Sequence, residues 1–310
     1  MAATADITLA QIRKGLYWRK QLDKVFVIVG LLVLFSCLGL LATLFIDLVH
    51  KGSSRFGWDF FMNFPSRKAE RAGILSAWVG TSLIMFVTAL VALPVGVAAA
   101  IYLEEYATKN WFTNIVEINV TNLAGVPSIV YGLLALGLFV YTLGFGQSVL
   151  SAGLTLALLI LPIVIVATRE SLRAVPKAIR EAAYGLGATR WEVTKDHVLP
   201  YSTGGVLTGL ILGLSRAIGE TAPIITIGAL SFIAFLPPSP VSGDFPFLNF
   251  EWLKSEFTAM PIQMFNWVSR PDQAFQANSA AAGAILLGMT LLMNAVAIWI
   301  RYRFRKKINW

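Results

Sequence analysis

The stretch VPKAIREAAYGLGATRWEVTKDHVLP, residues Val175–Pro200, predicts two short helices joined by a tight turn. Pro176 suits the first turn of a helix, and small apolar residues then recur at helical spacing. Gly185 and Gly187 can end that helix, because glycine readily adopts the left-handed backbone found at many helix ends. We call Val175–Pro200 the hairpin.

A second short helix is expected to follow the turn. Thr189 and Glu192 have the spacing of a capping box, in which each side chain accepts a hydrogen bond from the backbone N–H of the other residue. Leu199 precedes Pro200, and the residue before a proline disfavours the helical conformation. The second helix is therefore predicted to end at Leu199.

The composition places the hairpin in a membrane protein. The chain has 310 residues, of which 56% are hydrophobic and 14% are charged, whereas soluble domains carry about 25% charged residues. Apolar stretches long enough to span a bilayer occur six times. They are Val25–Val49, Gly73–Leu103, Val120–Leu143, Val149–Thr168, Gly204–Leu236 and Asn278–Ile300. We predict an all-α integral membrane protein with six transmembrane helices, the third interrupted by Pro127 and several glycines.

The distribution of positive charge predicts that both termini are cytoplasmic. With the N-terminus inside, the inner segments carry 17 Lys and Arg residues, the outer loops carry 7, and 1 lies within a span. Positive residues favour the cytoplasmic side of a membrane. Residues 1–24 then form a cytoplasmic or interfacial segment, and residues 25–310 form a single transmembrane domain. The loop 169–203 is inside, and the loop 237–277 is outside.

Several functional classes lack the residues that they need. The sequence contains neither the phosphate loop G-x-x-x-x-G-K-[ST] nor the metal motif H-E-x-x-H, and Cys37 is its only cysteine. No Ser/His/Asp, Cys/His or metal-ligand set is apparent. We therefore predict no catalytic residues and no metal site, so the chain is not expected to be an enzyme. The positive charge is explained by membrane topology, and no nucleic acid partner is expected.

The hairpin has the surface of a docking element. Alanines and glycines on one face would let another backbone approach closely, and Trp191 is a large anchor of the kind enriched at interface hot spots. An amphipathic loop lying on the membrane is the alternative. A DNA-binding helix-turn-helix is disfavoured, because the adjoining spans hold the hairpin against the bilayer.

The hairpin resembles the EAA loop of ABC importer permeases. The residues that carry the resemblance are Glu181, Ala182, Ala183, Gly187, Leu199 and Pro200. His197 departs from the family pattern, which usually has an apolar residue at that position. The resemblance implies the six-helix, MetI-like fold of these permeases. It also implies that the hairpin is a coupling element, with Trp191 in the contact, that docks into a cleft of a cytoplasmic ATPase.

Arg216 and Glu220 are charged residues within the fifth apolar stretch. Arg216 lies twelve residues after Gly204, or roughly 18 Å along a helix, and so near the middle of a bilayer. A charge there costs at least ~2.5–3.5 kcal/mol. Their spacing puts both residues on one helix face, where they can partly neutralise each other. They are either a structural ion pair or residues that face a translocation path.

If the pair faces a path, its chemistry suits an oxyanion. A guanidinium group is a planar fork that matches phosphate oxygens. Glu220 could accept a hydrogen bond from a protonated phosphate oxygen, whereas it would repel fully ionised sulfate. Gly219 and Pro223 would loosen the backbone beside the pair.

Other segments resemble phosphate ABC transporter permeases. They are RAIGETAP (Arg216–Pro223), LAGVPSIVYGL (Leu123–Leu133), FTAMPIQMFNW (Phe257–Trp267) and the closing MNAVAIWIRYRFRKK. The A-type subunit is more similar than its C-type partner. The resemblance implies a heterodimer with the C-type permease subunit, two ATP-binding cassette ATPase subunits and an extracytoplasmic phosphate-binding protein, in a bacterial plasma (inner) membrane. It implies that ATP and Mg are bound by the ATPase, that this chain binds no cofactor, and that Arg216 and Glu220 lie on the translocation path.

Three smaller predictions concern residues outside these motifs. Phe257–Ser269 is expected to form an interfacial or gate-covering helix, in contact with the binding protein or packed on the membrane surface. Glu104 and Glu105, after the second span, are expected to be solvated. Asn278 and Asn294 are expected to hydrogen-bond between helices or to line the path.

Two functional hypotheses follow. The first is a permease subunit of an ATP-driven inorganic phosphate importer that forms half of the translocation path. The alternative is a stand-alone channel or ion-coupled carrier for oxyanions, which leaves the EAA hairpin unexplained. Dependence of uptake on ATP rather than on ion gradients would separate them.

Overall fold

A computed structural model of the chain describes residues 2–241 and 249–305, with side chains described for 15–241 and 249–303. Every element longer than one residue in these ranges is helical, which confirms the all-α prediction. Parts of three predicted segments lie outside the described residues: Met1 of the segment 1–24, residues 242–248 of the loop 237–277, and the C-terminal 306–310. The last range includes Lys306 and Lys307, which contribute to the predicted topology.

The α-helices of the described residues are α1 (Ala2–Gly52), α2 (Trp58–Met62), α3 (Leu75–Ile101), α4 (Trp111–Leu123), α5 (Ser128–Ala135), α6 (Val149–Arg173), α7 (Lys177–Gly185), α8 (Arg190–Glu192), α9 (Leu199–Ala217), α10 (Ala222–Thr226), α11 (Met260–Val268) and α12 (Ala274–Arg305). Turns of π-helix follow three of them: Tyr102–Tyr106 after α3, Leu136–Thr142 after α5 and Val193–Val198 after α8. Short 3-10 turns occur at Ser53–Arg55, Ala69–Arg71 and Glu251–Lys254.

Five helical segments of the described residues are long and apolar enough to cross a membrane. They are Gly15–Arg55, Leu75–Tyr106, Val149–Arg173, Arg190–Ala217 and Ala274–Arg303. The bent pair α4–α5 makes a sixth if it is counted as one span. The first, second, fourth and sixth predicted spans each fall within one of these segments or overlap it closely, whereas the third and fifth need correction.

The third predicted span, Val120–Leu143, is two helices rather than one. α4 ends at Leu123, and the next helix begins after Pro127 at an angle of 107° to it. Pro127 has no N–H with which to continue a helical ladder, and it disfavours the helical conformation at Val126. The sequence identifies the interruption but gives no measure of the bend.

The fifth predicted span, Gly204–Leu236, is wrong beyond Ala217, where α9 ends. A turn and two irregular residues follow, and α10 has only five residues. Gly219 is a poor helix former, and Pro223 lacks the N–H that a continuous helix would need. The backbone therefore leaves the helix one residue after Arg216.

The chain divides into two compact units, Met1–Lys51 and Gly52–Trp310. The first consists of α1, which runs without a break past residue 24. Within the second unit, α6 packs against α3 and α9, and α12 packs against α9 and α11. The larger buried apolar cluster joins α3, α5 and α6, with Ile84, Leu156 and Ile160 almost completely buried.

The helix expected within Phe257–Ser269 is α11, which has Pro261 in its first turn. One face of α11 packs into the protein, whereas Phe265 and Val268 are exposed. Met260 and Trp267 are fully buried, and the rings of Trp267 and Phe60 lie 5.9 Å apart between their centres. α11 is therefore part of the core at the N-terminal end of α3.

Candidate functional site

The turn of the hairpin is a Schellman motif, a helix ending that requires a left-handed residue. Gly187 has that conformation, with a φ of +86°, and its N–H donates to the carbonyl oxygen of Tyr184 at 2.9 Å. The N–H of Ala188 donates to the carbonyl oxygen of Ala183 at 3.1 Å. Because other L-residues are strained at this φ, Gly187 determines the direction in which the chain leaves α7.

The second helix of the hairpin begins with the predicted capping box. The carboxylate of Glu192 accepts a hydrogen bond from the N–H of Thr189 at 2.7 Å. In return, the hydroxyl oxygen of Thr189 accepts one from the N–H of Glu192 at 3.4 Å. These bonds satisfy N–H groups that have no partner within the first turn of the helix.

The prediction that this second helix ends at Leu199 is wrong. The helical segment continues through Pro200 into the fifth span, from Arg190 to Ala217. A π-helical turn, Val193–Val198, comes directly before Pro200. The wider backbone of that turn relieves the clash that a proline ring makes with the carbonyl group four residues earlier in an α-helix.

One uninterrupted helical segment therefore joins the hairpin to the candidate path. It contains 28 residues, with Trp191 near its beginning and Arg216 near its end. At 1.5 Å per residue its length is roughly 40 Å. Trp191 of the hairpin and Arg216 therefore lie near opposite ends of one helical segment.

The EAA residues divide between two faces of the hairpin. Ala183 is buried in a cluster with Val193 and Val198 that includes side chains from the ends of α3 and α6. Glu181 and Ala182 are exposed. The motif thus contains one residue that anchors α7 to the spans and two that remain available to a partner.

Large apolar side chains are exposed around the turn. Leu186, at its tip, is 90% exposed, Trp191 is 58% exposed and Tyr184 is also exposed. Trp191 is predicted from the sequence, whereas Leu186 and Tyr184 were missed. Their signal was available, because both lie within or next to the turn between Gly185 and Gly187, where they can have few intramolecular neighbours.

A network of ion pairs lies where the hairpin meets the ends of α3 and α6, beside the middle of α4. Three arginines join four glutamates: Arg169 with Glu117 at 2.6 Å and Glu104 at 3.5 Å, Arg173 with Glu104 at 3.0 Å and Glu170 at 3.4 Å, and Arg180 with Glu105 at 2.7 Å. Arg180, on α7, also donates to the carbonyl oxygens of Leu172 and Val175 at 2.8 and 2.7 Å. Arg180 attaches the hairpin to the ends of α3 and α6, and Arg169 joins α6 to Glu117 in the middle of α4.

The prediction that Glu104 and Glu105 are solvated is wrong. Their side chains are only 18% and 9% exposed, and both pair with arginines of the loop 169–203. Two adjacent carboxylates beside a basic loop of opposite charge were a signal for pairing. The sequence could not show which arginines would reach them.

Arg216 lies in the last turn of α9, and Glu220 lies just beyond the helix end. The structure brings their side chains together, with 3.5 Å between Arg216 Nε and Glu220 Oε1. The contact is made through the turn after α9 rather than along a shared helix face. The side chains are 39% and 21% exposed, so the pair lies at the surface of the described chain rather than in its core.

The two broken segments of the chain pack against each other beside this pair. Gly132 of α5 lies so close to Pro223 and Thr226 of α10 that a side chain there would clash. The hydroxyl group of Tyr131 donates to the carbonyl oxygen of Leu123 at 2.8 Å, across the bend between α4 and α5. Irregular backbone at membrane depth is tolerated where it is buried in protein or lines a polar cavity.

Comparison with known proteins identifies the family. A family model described as "Binding-protein-dependent transport system inner membrane component" matches residues 92–310, which include the hairpin, Arg216 and Glu220. The chain belongs to this family of inner membrane transport components. Members work with a binding protein and an ATPase, and their location is the inner membrane, which the chain crosses several times.

The transport component has curated relatives over most of its length. It is 32% identical to "Phosphate transport system permease protein PstA 1" of Mycobacterium tuberculosis over 230 residues, covering 74% of this chain and 71% of the relative. It is 30% identical to "Phosphate transport system permease protein PstA" of Yersinia pestis over 313 residues, covering 97% of each.

A solved structure shows the same fold. The transport component superimposes with a TM-score of 0.57 on a chain of the methionine ABC transporter MetNI in an inward-facing conformation. The match covers 74% of this chain and 95% of the other, at 14% sequence identity. This likeness confirms the predicted MetI-like permease fold, and at such low identity it concerns the fold alone.

Proposed function

We propose that the chain is the A-type permease subunit of an ATP-driven inorganic phosphate importer and forms half of its translocation path. The observation that carries this proposal is the helical segment Arg190–Ala217, which joins a docking hairpin to the Arg216–Glu220 pair. The names of the curated relatives support phosphate as the substrate.

The chemistry of the pair supports the same substrate. In the described part of the chain, only Nε of Arg216 contacts a carboxylate, so its terminal N–H groups are available to two oxygens of an anion. Glu220 accepts a hydrogen bond from a protonated phosphate oxygen, whereas fully ionised sulfate has no proton to donate to it. Both groups would act as binding residues on the path, and phosphate would pass beside them without covalent chemistry.

The exposed surface of the hairpin supports docking to an ATPase. The coupling residues are Glu181, Ala182, Ala183, Gly187, Trp191, Leu199 and Pro200. Leu186 and Trp191 present large apolar anchors, and the exposed small residues of α7 let a groove close tightly around it. Movement of the ATPase would then displace α9 along its axis and change the position of Arg216.

The assembly that we propose has four further subunits or partners. A C-type permease subunit provides the other half of the path, two ATPase subunits bind ATP and Mg, and an extracytoplasmic phosphate-binding protein delivers the substrate. ATP is assigned to the ATPase because this sequence contains no phosphate loop. The side chain of Arg216 is partly exposed in the isolated chain, which supports a second wall supplied by another subunit.

Copurification in a gentle detergent tests the docking role. The tagged chain is expected to copurify with an ATPase and a second permease from its host, and Trp191→Ala is expected to lose the ATPase while retaining the permease. Trp58→Ala is the matched control, because Trp58 is 74% exposed but lies in α2, away from the hairpin. Equal recovery of the ATPase with both variants and with a Leu186→Ala/Trp191→Ala double variant would contradict the docking role.

A further inference from the structure

Two polar contacts cross the interface between α9 and α12, and one of them involves the residue next to Arg216. Ser215 Oγ lies 2.5 Å from Asn294 Oδ1, and Arg301 Nη1 donates to Thr208 Oγ1 at 2.9 Å. Seven residues separate the two contacts on each helix, and the helices run in opposite directions. The contacts are therefore in register, two turns or roughly 10.5 Å apart.

Thr208 and Ser215 supply the hydroxyl groups of these two contacts, and each oxygen lies within hydrogen-bond distance of two partners. Thr208 donates to the carbonyl oxygen of Gly204 at 2.7 Å, and its oxygen accepts from Arg301. Ser215 Oγ likewise lies 2.7 Å from the carbonyl oxygen of Ile211. A hydroxyl has one proton, so Ser215 shares it between the carbonyl oxygen of Ile211 and the side-chain oxygen of Asn294.

The side of α9 that packs against α6 has no comparable polar contact in the described part of the chain. Gly205, Gly209 and Gly213 form a stripe that lies against α6. Such a stripe lets helices approach closely but does not fix their axial position. Among the side-chain hydrogen bonds of the described residues, none joins α9 to α6. Among the described residues, the interhelical side-chain hydrogen bonds of α9 are therefore made to α12.

We propose that Asn294 is a positioning residue for transport, which holds the last turn of α9 through Ser215 and thereby places Arg216 on the translocation path. This inference rests on the proposed function, because it takes Arg216 as a residue that binds phosphate. Arg216 follows Ser215 directly in α9, so both residues belong to the same rigid helical turn. A rotation of that turn, once Ser215 is released, therefore moves the Arg216 side chain away from its position.

The test uses the complete transporter in proteoliposomes and measures the initial rate of labelled phosphate uptake over a range of concentrations. Asn294→Ala and Ser215→Ala each remove one side of the contact, and Thr208→Val removes the other contact as the matched control. The Ser215 and Asn294 variants are expected to lower uptake roughly ten- to hundredfold, as misplacement of a binding group by about 1 Å does. Thr208→Val is expected to remain close to the parent rate, and all variants are expected to assemble with the ATPase.

A second background distinguishes positioning from ordinary packing. In transporters that already carry Arg216→Lys, Asn294→Ala is expected to cause no further loss, because it acts through Arg216. A further loss of the same size as in the parent would overturn the inference, and so would parental uptake by both Asn294→Ala and Ser215→Ala. If the Asn294→Ala variant fails to assemble, the uptake rate of Ser215→Ala tests the inference instead, since that substitution removes only one oxygen atom.

Failure of the proposed function gives a different result. In that case the parent transporter shows no ATP-dependent phosphate uptake, or Arg216→Lys transports normally, and the inference is overturned with it. If instead Arg216→Lys is impaired while Asn294→Ala and Ser215→Ala transport like the parent, only the role of Asn294 is overturned.

Discussion

The guanidinium group of Arg216 presents a planar fork that a lysine ammonium group cannot reproduce. Arg216→Lys retains the positive charge but loses the paired donors that match two phosphate oxygens. We expect uptake of labelled phosphate to fall by at least about tenfold, since a hydrogen bond to a charged group contributes roughly 1.5–3 kcal/mol. An uptake rate near that of the parent would show that charge alone is required.

The carboxylate of Glu220 is expected to discriminate between phosphate and sulfate. Glu220→Gln removes the negative charge that repels sulfate while preserving a side chain of similar size. Competition of unlabelled sulfate with labelled phosphate should therefore increase in the variant relative to the parent. Unchanged competition would remove Glu220 from this role.

Gly187 and Gly185, the two glycines of the hairpin turn, allow a matched pair of substitutions. Gly187 has a φ of +86°, so Gly187→Ala introduces strain of about 1–2 kcal/mol and disturbs the Schellman motif. Gly185→Ala is the control, because a methyl group at Gly185 would meet no neighbouring atom within 4 Å and the residue has no positive φ. Recovery of the ATPase should decrease for Gly187→Ala alone, and an equal decrease for both would contradict the requirement for a left-handed turn.

Among the elements, α4 and the ends of α3 and α6 are held together by arginines with very different burial. The side chain of Arg169 is 9% exposed and that of Arg173 is 53% exposed. Arg169→Ala removes a nearly buried guanidinium group and leaves Glu117, which is 34% exposed, without its partner, so it should destabilise the protein by about 2 kcal/mol, less than the loss of a fully buried pair. Arg173→Ala removes a more exposed ion pair and should cost less than about 1 kcal/mol.

Thermal unfolding of the purified protein in detergent measures this difference. We expect a clearly larger decrease in the unfolding midpoint for Arg169→Ala than for Arg173→Ala. Equal decreases would contradict the view that Arg169 is the central residue of the network.

The elements that the sequence predicted well are those with local signals. Gly187 and the pair Thr189–Glu192 mark a helix end and a helix start by their own chemistry, and both are found where expected. The continuation through Pro200 was missed, because a π-helical turn has no distinct residue pattern. The angle of 107° after Leu123 was also missed, since proline indicates a break but tertiary packing determines its direction.

The sequence predicted which residues belong to the candidate site but not how they are arranged in space. The spacing of Arg216 and Glu220 suggested their contact, although the helix ends between them. Ser215–Asn294 and the pairs of Arg169 join residues that are distant in sequence, so only the folded chain reveals them.

At the scale of the whole molecule, one helical segment, Arg190–Ala217, joins the hairpin to the Arg216–Glu220 pair. Two broken segments, α4–α5 and α9–α10, provide irregular backbone beside the pair, as expected for a path through a membrane. The chain alone leaves Arg216 partly exposed, so the account requires a partner to close the path.

The most direct test of ATP-driven phosphate import is uptake of labelled phosphate by proteoliposomes that contain the complete transporter, with ATP inside and the binding protein outside. The account predicts uptake that requires ATP and the ATPase subunits and that persists when ionophores collapse the ion gradients. Phosphate uptake by this chain alone, without ATP and in proportion to an ion gradient, would contradict the account and favour a stand-alone carrier.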